Sequence, residues 1–432
     1  NVREMDPRRY GDWACGKYAL EKSIDEYEHM YATHYPGEFR DAGRPVRPTP
    51  IYENLKTHGA VFAETFGWER AKWFDSSGHG EQYSFRRNNS FQSVAEECMA
   101  VRERVGLLEL TCFAKYEISG SDAETLLQRI CANHIPKREG GVALVHMLTE
   151  LGGIECEATI TRIEENKYYA LSGAIAETHD FDWLVQNILT DENVSVRNVT
   201  DEYGVLVLAG PRSRDVLSKL TDADLSNSAF PWLCGKTIDV SGIKTLALRV
   251  SYAGELGWEL HIPMQNVAEL YDRLMDTGTE FGIENFGTYA MNSLRMEKAY
   301  KGWGSELTTE ISPIEAGLER FVDFSKSFIG REASLSRKLL GINTKLVYLE
   351  VDADDTDCLG NEPVLNGEQI IGVTTSGAYG HSVRKSLAFA YVHPQYADSG
   401  TNFKIRILGQ NCSATVLKEA AYDPQNLRLK DV

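Results

Sequence analysis

No stretch of eighteen uncharged apolar residues occurs in this 432-residue chain, and charge runs through its first thirty residues. A bilayer-spanning helix needs about 20 consecutive apolar residues, so neither a membrane span nor a signal peptide is expected in the sequence. Also missing are a G-x-G-x-x-G after a strand and a G-x-x-x-x-G-K-[ST], which argues against a Rossmann unit or a P-loop here. No G-x-S-x-G elbow and no H-E-x-x-H occur, setting aside two common hydrolase chemistries. The eight cysteines form no C-x-x-C pair and share no regular spacing. They predict reduced thiols in an intracellular protein and no metal site, because structural zinc needs clustered ligands. Positive charge is scarce: 45 Lys and Arg stand against 63 Asp and Glu, for a net charge of −18. Such a chain is repelled by nucleic acid and by anionic membranes, so neither is expected as a partner. An anionic small molecule would need a local basic patch.

What is present has the composition of an ordinary globular protein, 42% hydrophobic, and its length predicts several domains. Residues 1–35 carry helical character in "YALEKSIDEYEHMYATHY", where Tyr18, Leu20, Ile24, Tyr27 and Tyr31 recur. Residues 36–90 read as a connector, proline-rich at first and then aromatic-dense. From 91 to 335 the pattern is α+β. "FQSVAEECMAVRERVGLLEL" predicts a helix ending near Gly106, "ATITRI" and "KYYALSG" a hairpin, and "NVAELYDRLMDTG" a helix stopped at Gly278. Residues 336–432 are nearly all short strands with Gly and Asp turns, which predicts a small all-β barrel or sandwich.

Three blocks hold more polar and glycine content than core strands need. In "HMLTELGGIECEATITRI", Gly152 and Gly153 permit close backbone approach, and alternation puts Glu157 on one face with Thr159 and Thr161. This is either a ligand-facing acid or a solvated residue beside a Gly-Gly turn. In "SYAGELGWELHIP", Tyr252, Glu255, Trp258 and Glu259 gather acids and rings that suit a flat heterocycle with N–H donors. A hairpin whose Trp covers the core would look the same. In "NSLRMEKAYKGWGSELTTEISPIEAGL", Arg295 ends a helix, where it serves either a ligand or the helix dipole.

Taken in order, these blocks resemble the glycine-cleavage aminomethyltransferase family from about residue 91 onward, together with "LAGPRSRDVL" and "GAYGHSVRKSLAFAYV". The upstream "DPRRYG" and "AGRPVRPTPIYENLKTHGAVFAETFGWERAKWF" resemble the linker of dimethylglycine and sarcosine dehydrogenases. The resemblance implies two α+β subdomains and a C-terminal β-barrel around a central folate site, with residues 1–35 the tail of a flavin module lying outside the chain. It implies tetrahydrofolate as cofactor, FAD only on that upstream amine-oxidising module, and a cytoplasmic or mitochondrial-matrix setting. The function implied is capture of a one-carbon unit from an N-methyl amine such as dimethylglycine or sarcosine, giving 5,10-methylenetetrahydrofolate. A non-catalytic regulatory relative or a folate-dependent demethylase is the alternative. Position by position, Glu157 stands at the family's catalytic Asp, Tyr252 and Glu259 at the pterin-binding pair, and Arg295 at the Leu-Arg-x-Glu arginine. Arg384 and Tyr391 are further cofactor-binding candidates. Glu157 departs from the family by one methylene, and Lys298 stands where many relatives have a small residue.

Overall fold

The computed structural model describes Pro7 and residues 10–431. A five-stranded antiparallel sheet runs in the order Val142–Leu148, Ile154–Glu164, Lys167–Ser172, Ala114–Ser119, Ser195–Asn198. Its alternation is clean. Cys156, Ala158, Ile160, Tyr168 and Ala170 pack under the helices Ala123–Ile130 and Glu177–Gln186, while Glu157, Thr159, Thr161, Tyr169 and Leu171 take the other face.

A six-stranded sheet runs Gly235–Val240, Ile243–Leu248, Gly257–Pro263, Tyr203–Ala209, Val105–Glu109, Ile283–Asn285. Only the last pair is parallel. Trp258, Leu260 and Ile262 face a core completed by the helices Ser213–Ser218 and Val267–Gly278. Val205, Val207 and Ala209 face the helices Ser90–Glu103 and Thr288–Glu297. The strand Val105–Glu109 precedes the five-stranded sheet in the chain but pairs with Tyr203–Ala209, which follows it. The whole five-stranded sheet is therefore inserted in sequence between the first strand of the six-stranded sheet and the rest.

The last fifth closes as a barrel, Lys345–Asp352, Lys385–Val392, Gln369–Gly380, Pro363–Asn366, Asn402–Ile407, Gln410–Val416. Phe403, Ile405 and Ile407 fill its interior, and Asn402, Lys404 and Arg406 lie outside. The fold is thus α+β with a closed barrel at the end. Two local expectations need correction. The helix after Asn89 stops at Glu103, and Gly106 sits in a strand, where a Cβ would lie 2.5 Å from Val101 and 2.7 Å from Phe286. The helix Val267–Gly278 runs on through a 3₁₀ turn to Gly282, whose φ of +68° supplies the left-handed stop. Gly278 is instead small because Ile283 packs on it.

The barrel is joined to the helix Ser90–Glu103 through His381, whose ring lies 4.7 Å from Phe91 and 5.1 Å from Tyr379. Burial lowers its pKa to about 4, against the pull of Glu297 and Asp357 and with Arg87 adding to the depression. An unfolded histidine takes up its proton near 6.5. Between these values the unfolded chain binds more protons than the folded one, so stability falls as pH drops from about 6.5 toward 4. The urea midpoint of His381→Phe should decline less over this window than that of the natural protein. Parallel declines would show that His381 contributes nothing.

Candidate functional site

Glu157 is positioned by its own strand, the neighbouring strand Val142–Leu148 and a loop. Gly153 packs so tightly on the loop above it that a Cβ would fall 1.8 Å from the carbonyl oxygen of Thr309. Directly after it, the Ile154 amide donates to Thr308 and Ile311 carbonyls. Three residues on, Glu157 lies opposite His146 on the strand Val142–Leu148, its Oε2 2.7 Å from His146 Nε2. His146 is fully buried, its ring edge-on to Phe321 at 5.4 Å, and its Nδ1 has no hydrogen-bond partner among the described residues. A buried histidine thus holds the longer carboxylate in place from behind.

Beside it stands a buried frame built on Glu306. This carboxylate accepts from Arg295 Nη1 (3.2 Å), the Gly302 amide (2.7 Å), Ser305 (3.0 Å), Thr375 (2.7 Å) and Ser376 (2.6 Å). Arg295 also donates to Asn292, to the Tyr300 carbonyl and to Ser376. Tyr391 donates to the Glu306 carbonyl at 2.8 Å from the barrel strand Lys385–Val392. Arg295 and Tyr391 are both buried and both spent on this frame. Tyr252 donates to the Lys301 carbonyl at 2.9 Å and stacks on Tyr300 at 5.9 Å. Burial raises the pKa of its phenol; Arg295 opposes the rise, and Glu157 and Glu306 add to it, so these charges are its electrostatic neighbours.

Glu259 belongs to a second group. It shares a face of the six-stranded sheet with His261 and Val207, turned away from the Trp258 core. His261 is buried and bonded through Nδ1 to the Tyr169 hydroxyl at 3.0 Å, a link between the two sheets. Burial holds His261 below its usual pKa against the pull of Glu259, so the ring is neutral near pH 7. Glu259 Oε2 and His261 Nε2 are 3.4 Å apart yet have no hydrogen bond among the described residues, where Thr161 Oγ1 on the facing sheet is likewise buried and without a partner. Leaving such groups unpaired costs roughly 1–3 kcal/mol each. Unpaired polar atoms concentrated between two sheets are what a polar ligand's site looks like without the ligand's atoms counted.

Tyr169 pairs with Thr161, four residues along the strand from Glu157, a span of about 13 Å. Glu157 and Glu259 therefore lie on the two sheet faces that the Tyr169–His261 bond ties together, Glu157 grouped with Tyr252 and the Arg295–Glu306 frame, Glu259 with His261 and Tyr169. Arg384 stands apart, exposed in the turn before Lys385–Val392 at a φ of +56°. His146, His261 and Glu306 escaped the sequence reading. His261 had a usable signal, standing two residues along the strand from Glu259 and so on the same face. On the helix-covered side of Glu157, Cys156, His179 and Asp180 hold ligand-type atoms within 4.8 Å of one another; Cys156 Sγ donates to Asp180 at 2.8 Å, and His179 Nδ1 lies 2.7 Å from the same oxygen.

Comparison with known proteins adds a lineage. Residues 51–326 match the profile described as GCVT N-terminal domain, residues 344–423 the glycine cleavage T-protein C-terminal barrel domain, and residues 1–49 the FAD dependent oxidoreductase central domain. Mitochondrial dimethylglycine dehydrogenase of Mus musculus is 41% identical over 99% of the chain and 50% of its own length. An aminomethyltransferase of Thermoanaerobacter sp. (strain X514) is 29% identical over 87% of the chain and 98% of its own length. The chain spans about half the length of the dehydrogenases it matches. The crystal structure of glycine cleavage system aminomethyltransferase T from Bartonella henselae shares the fold, with a TM-score of 0.76 at 22% identity, covering 88% of the chain and 98% of that structure. No helix among the described residues is long and apolar enough to cross a membrane.

Proposed function

Because this chain belongs to the glycine-cleavage T-protein (GCVT) family, we propose that it is a folate-dependent one-carbon-transfer module. The finer reading is capture of a formaldehyde-level carbon from an N-methyl amine such as dimethylglycine or sarcosine, giving 5,10-methylenetetrahydrofolate. A flavin-dependent amine-oxidising module, on the same or a separate chain, would deliver that carbon. The match of residues 1–49 to a flavoprotein domain and the likeness to dimethylglycine dehydrogenase support this.

One observation carries the reading: Glu259, on the sheet face that the His261–Tyr169 bond ties to the face of Glu157, keeps a buried oxygen without a hydrogen-bond donor among the described residues. The N–H-rich edge of a reduced pterin has the donors this oxygen lacks, so the residues fit the group. Tetrahydrofolate, when bound, supplies nucleophilic nitrogens for the incoming carbon. The chain's own residues do the rest. Glu259, backed by His261, holds the heterocycle edge. Tyr252, fixed by its bond to Lys301 and its stack on Tyr300, borders the ligand's midsection. Glu157, held by His146, takes up or returns the proton that moves as carbon–nitrogen bonds form. The Arg295–Glu306 frame and Tyr391 keep these parts in register.

The direct test is calorimetric titration with tetrahydrofolate. Glu259→Gln gives up a charged acceptor worth about 1.5–3 kcal/mol, so affinity should fall about 10- to 100-fold. Unchanged affinity would remove Glu259 from the site, and absence of binding by the natural protein would end the reading.

A further inference from the structure

We infer that Cys156, His179 and Asp180 bind a transition-metal cation of the zinc type, on the face of the five-stranded sheet opposite Glu157.

The site joins two elements. Cys156 points from the strand Ile154–Glu164 into the helix-covered core, and His179 and Asp180 stand in the first turn of the helix Glu177–Gln186. Cys156 and Asp180 are 24 positions apart in sequence, so the spacing of residues along the chain, which predicted no metal site, does not show them together. Their ligand-type atoms and that of His179 lie within 4.8 Å of one another. Asp180 Oδ1 is the centre of the group, with the Cys156 thiol at 2.8 Å and His179 Nδ1 at 2.7 Å. A cation about 2.0–2.3 Å from each atom would require these contacts to open by less than about 1 Å.

Two observations set the group apart from an ordinary buried hydrogen-bonded trio. Asp180 is a buried carboxylate, and no Lys or Arg among the described residues bonds to it. A charge in that position is costly unless a cation joins it. His179, moreover, meets a carboxylate at both ring nitrogens, its Nε2 lying 2.6 Å from Oε1 of the buried Glu155. A metal-ligating imidazole turns its other N–H to a carboxylate in this way, which fixes the tautomer and the ring's orientation. The outer layer is itself held: the Trp303 indole donates to the Glu155 carbonyl at 3.2 Å, and its ring lies 6.2 Å from that of His179. Of the three ligands only His179 is partly open to solvent, which gives an ion its way in.

The donor set chooses the ion. Calcium and magnesium take oxygen ligands, whereas one thiolate, one imidazole and one carboxylate suit zinc, with water in the fourth tetrahedral position. As the ion binds, the thiol proton and the proton at Nδ1 leave to solvent, and Nε2–H stays on Glu155. The thiolate and the Asp180 carboxylate then balance its two positive charges. The bound ion would clamp the helix onto the strand that carries Glu157.

The experiment is titration of the reduced, chelator-dialysed chain with Co²⁺ and with Zn²⁺. Cobalt should develop a thiolate charge-transfer band that saturates at one ion per chain. Cys156→Ser should abolish the band, and Cys131→Ser, which removes another buried thiol of the same core, should leave it unchanged. Glu155→Gln should bind zinc about 10- to 100-fold more weakly in calorimetry. X-ray absorption of the zinc-loaded natural chain needs no variant and should find one sulfur at about 2.3 Å among lighter ligands. The site is overturned by the absence of a cobalt band, by a band that persists in Cys156→Ser, or by bound zinc with no sulfur or with several.

Discussion

Glu157→Gln should lower the rate of one-carbon capture by about 10²- to 10⁴-fold, the usual worth of a positioned proton carrier, with tetrahydrofolate affinity nearly unchanged. The amide keeps the size of the side chain and can still meet His146 across the strand pair, so the geometry at 2.7 Å survives. It cannot take up a proton. A loss confined to kcat therefore reports proton handling, whereas a loss in affinity would report a binding role. Glu157→Asp is the instructive companion. Shortening the side chain withdraws the carboxylate by about 1.5 Å, one carbon–carbon bond, and detaches it from His146. If the His146 contact sets its position, the shorter acid should perform poorly here, since about 1 Å of misplacement can cost a hundredfold. Full activity in Glu157→Gln would remove the residue from the chemistry.

The second large effect is on stability. Arg102→Leu should cost about 3–5 kcal/mol in urea unfolding at pH 7, the range for breaking a buried ion pair from one side. The Arg102 guanidinium donates to Glu297 at 2.8 Å and 3.1 Å, to Glu255 at 3.1 Å and to the carbonyls of Ala253 and Leu294, and it lies 4.0 Å from the centre of the Tyr422 ring. Both acids are buried, and burial already raises the pKa of Glu255, with Arg102 as the chief opposing influence. Without Arg102 two carboxylates face each other in a dry interior. Replacing Arg102, Glu255 and Glu297 together by apolar residues should recover most of the loss, because no orphaned charge then remains. A single-variant cost below about 1 kcal/mol would mean that the acids find other partners.

Local patterning read well from the sequence because it depends on neighbours a few residues away. The alternation that sends Trp258, Leu260 and Ile262 one way and Glu259 and His261 the other is visible in the string, as is the strand-and-turn rhythm of the barrel. Helix ends were less legible: Gly106 and Gly278 looked like stops, yet Gly278 is small to admit Ile283 and Gly106 to admit Val101 and also Phe286, which arrives through tertiary packing. The site was half legible. Acids and rings in Gly-containing blocks marked Glu157, Tyr252 and Glu259, but nothing local says that Arg295 meets Glu306 eleven residues on, or that Tyr391 reaches the same residue from the barrel. Buried polar frames of this kind are set by long-range contacts, which leave no periodic trace.

The displaced strand Val105–Glu109 bears on how the molecule can be made and cut. It lies between Tyr203–Ala209 and the edge strand Ile283–Asn285, so it must wait for some hundred residues of later chain before its first neighbour in the sheet exists. Non-local pairing of this sort slows folding, and during synthesis the early strand stays an open edge until its neighbours emerge. A fragment begun after residue 110 would leave Tyr203–Ala209 with an open edge and cut off the edge strand Ile283–Asn285. Attempts to express the second sheet on its own should therefore yield aggregate unless residues 105–109 are supplied in the same polypeptide.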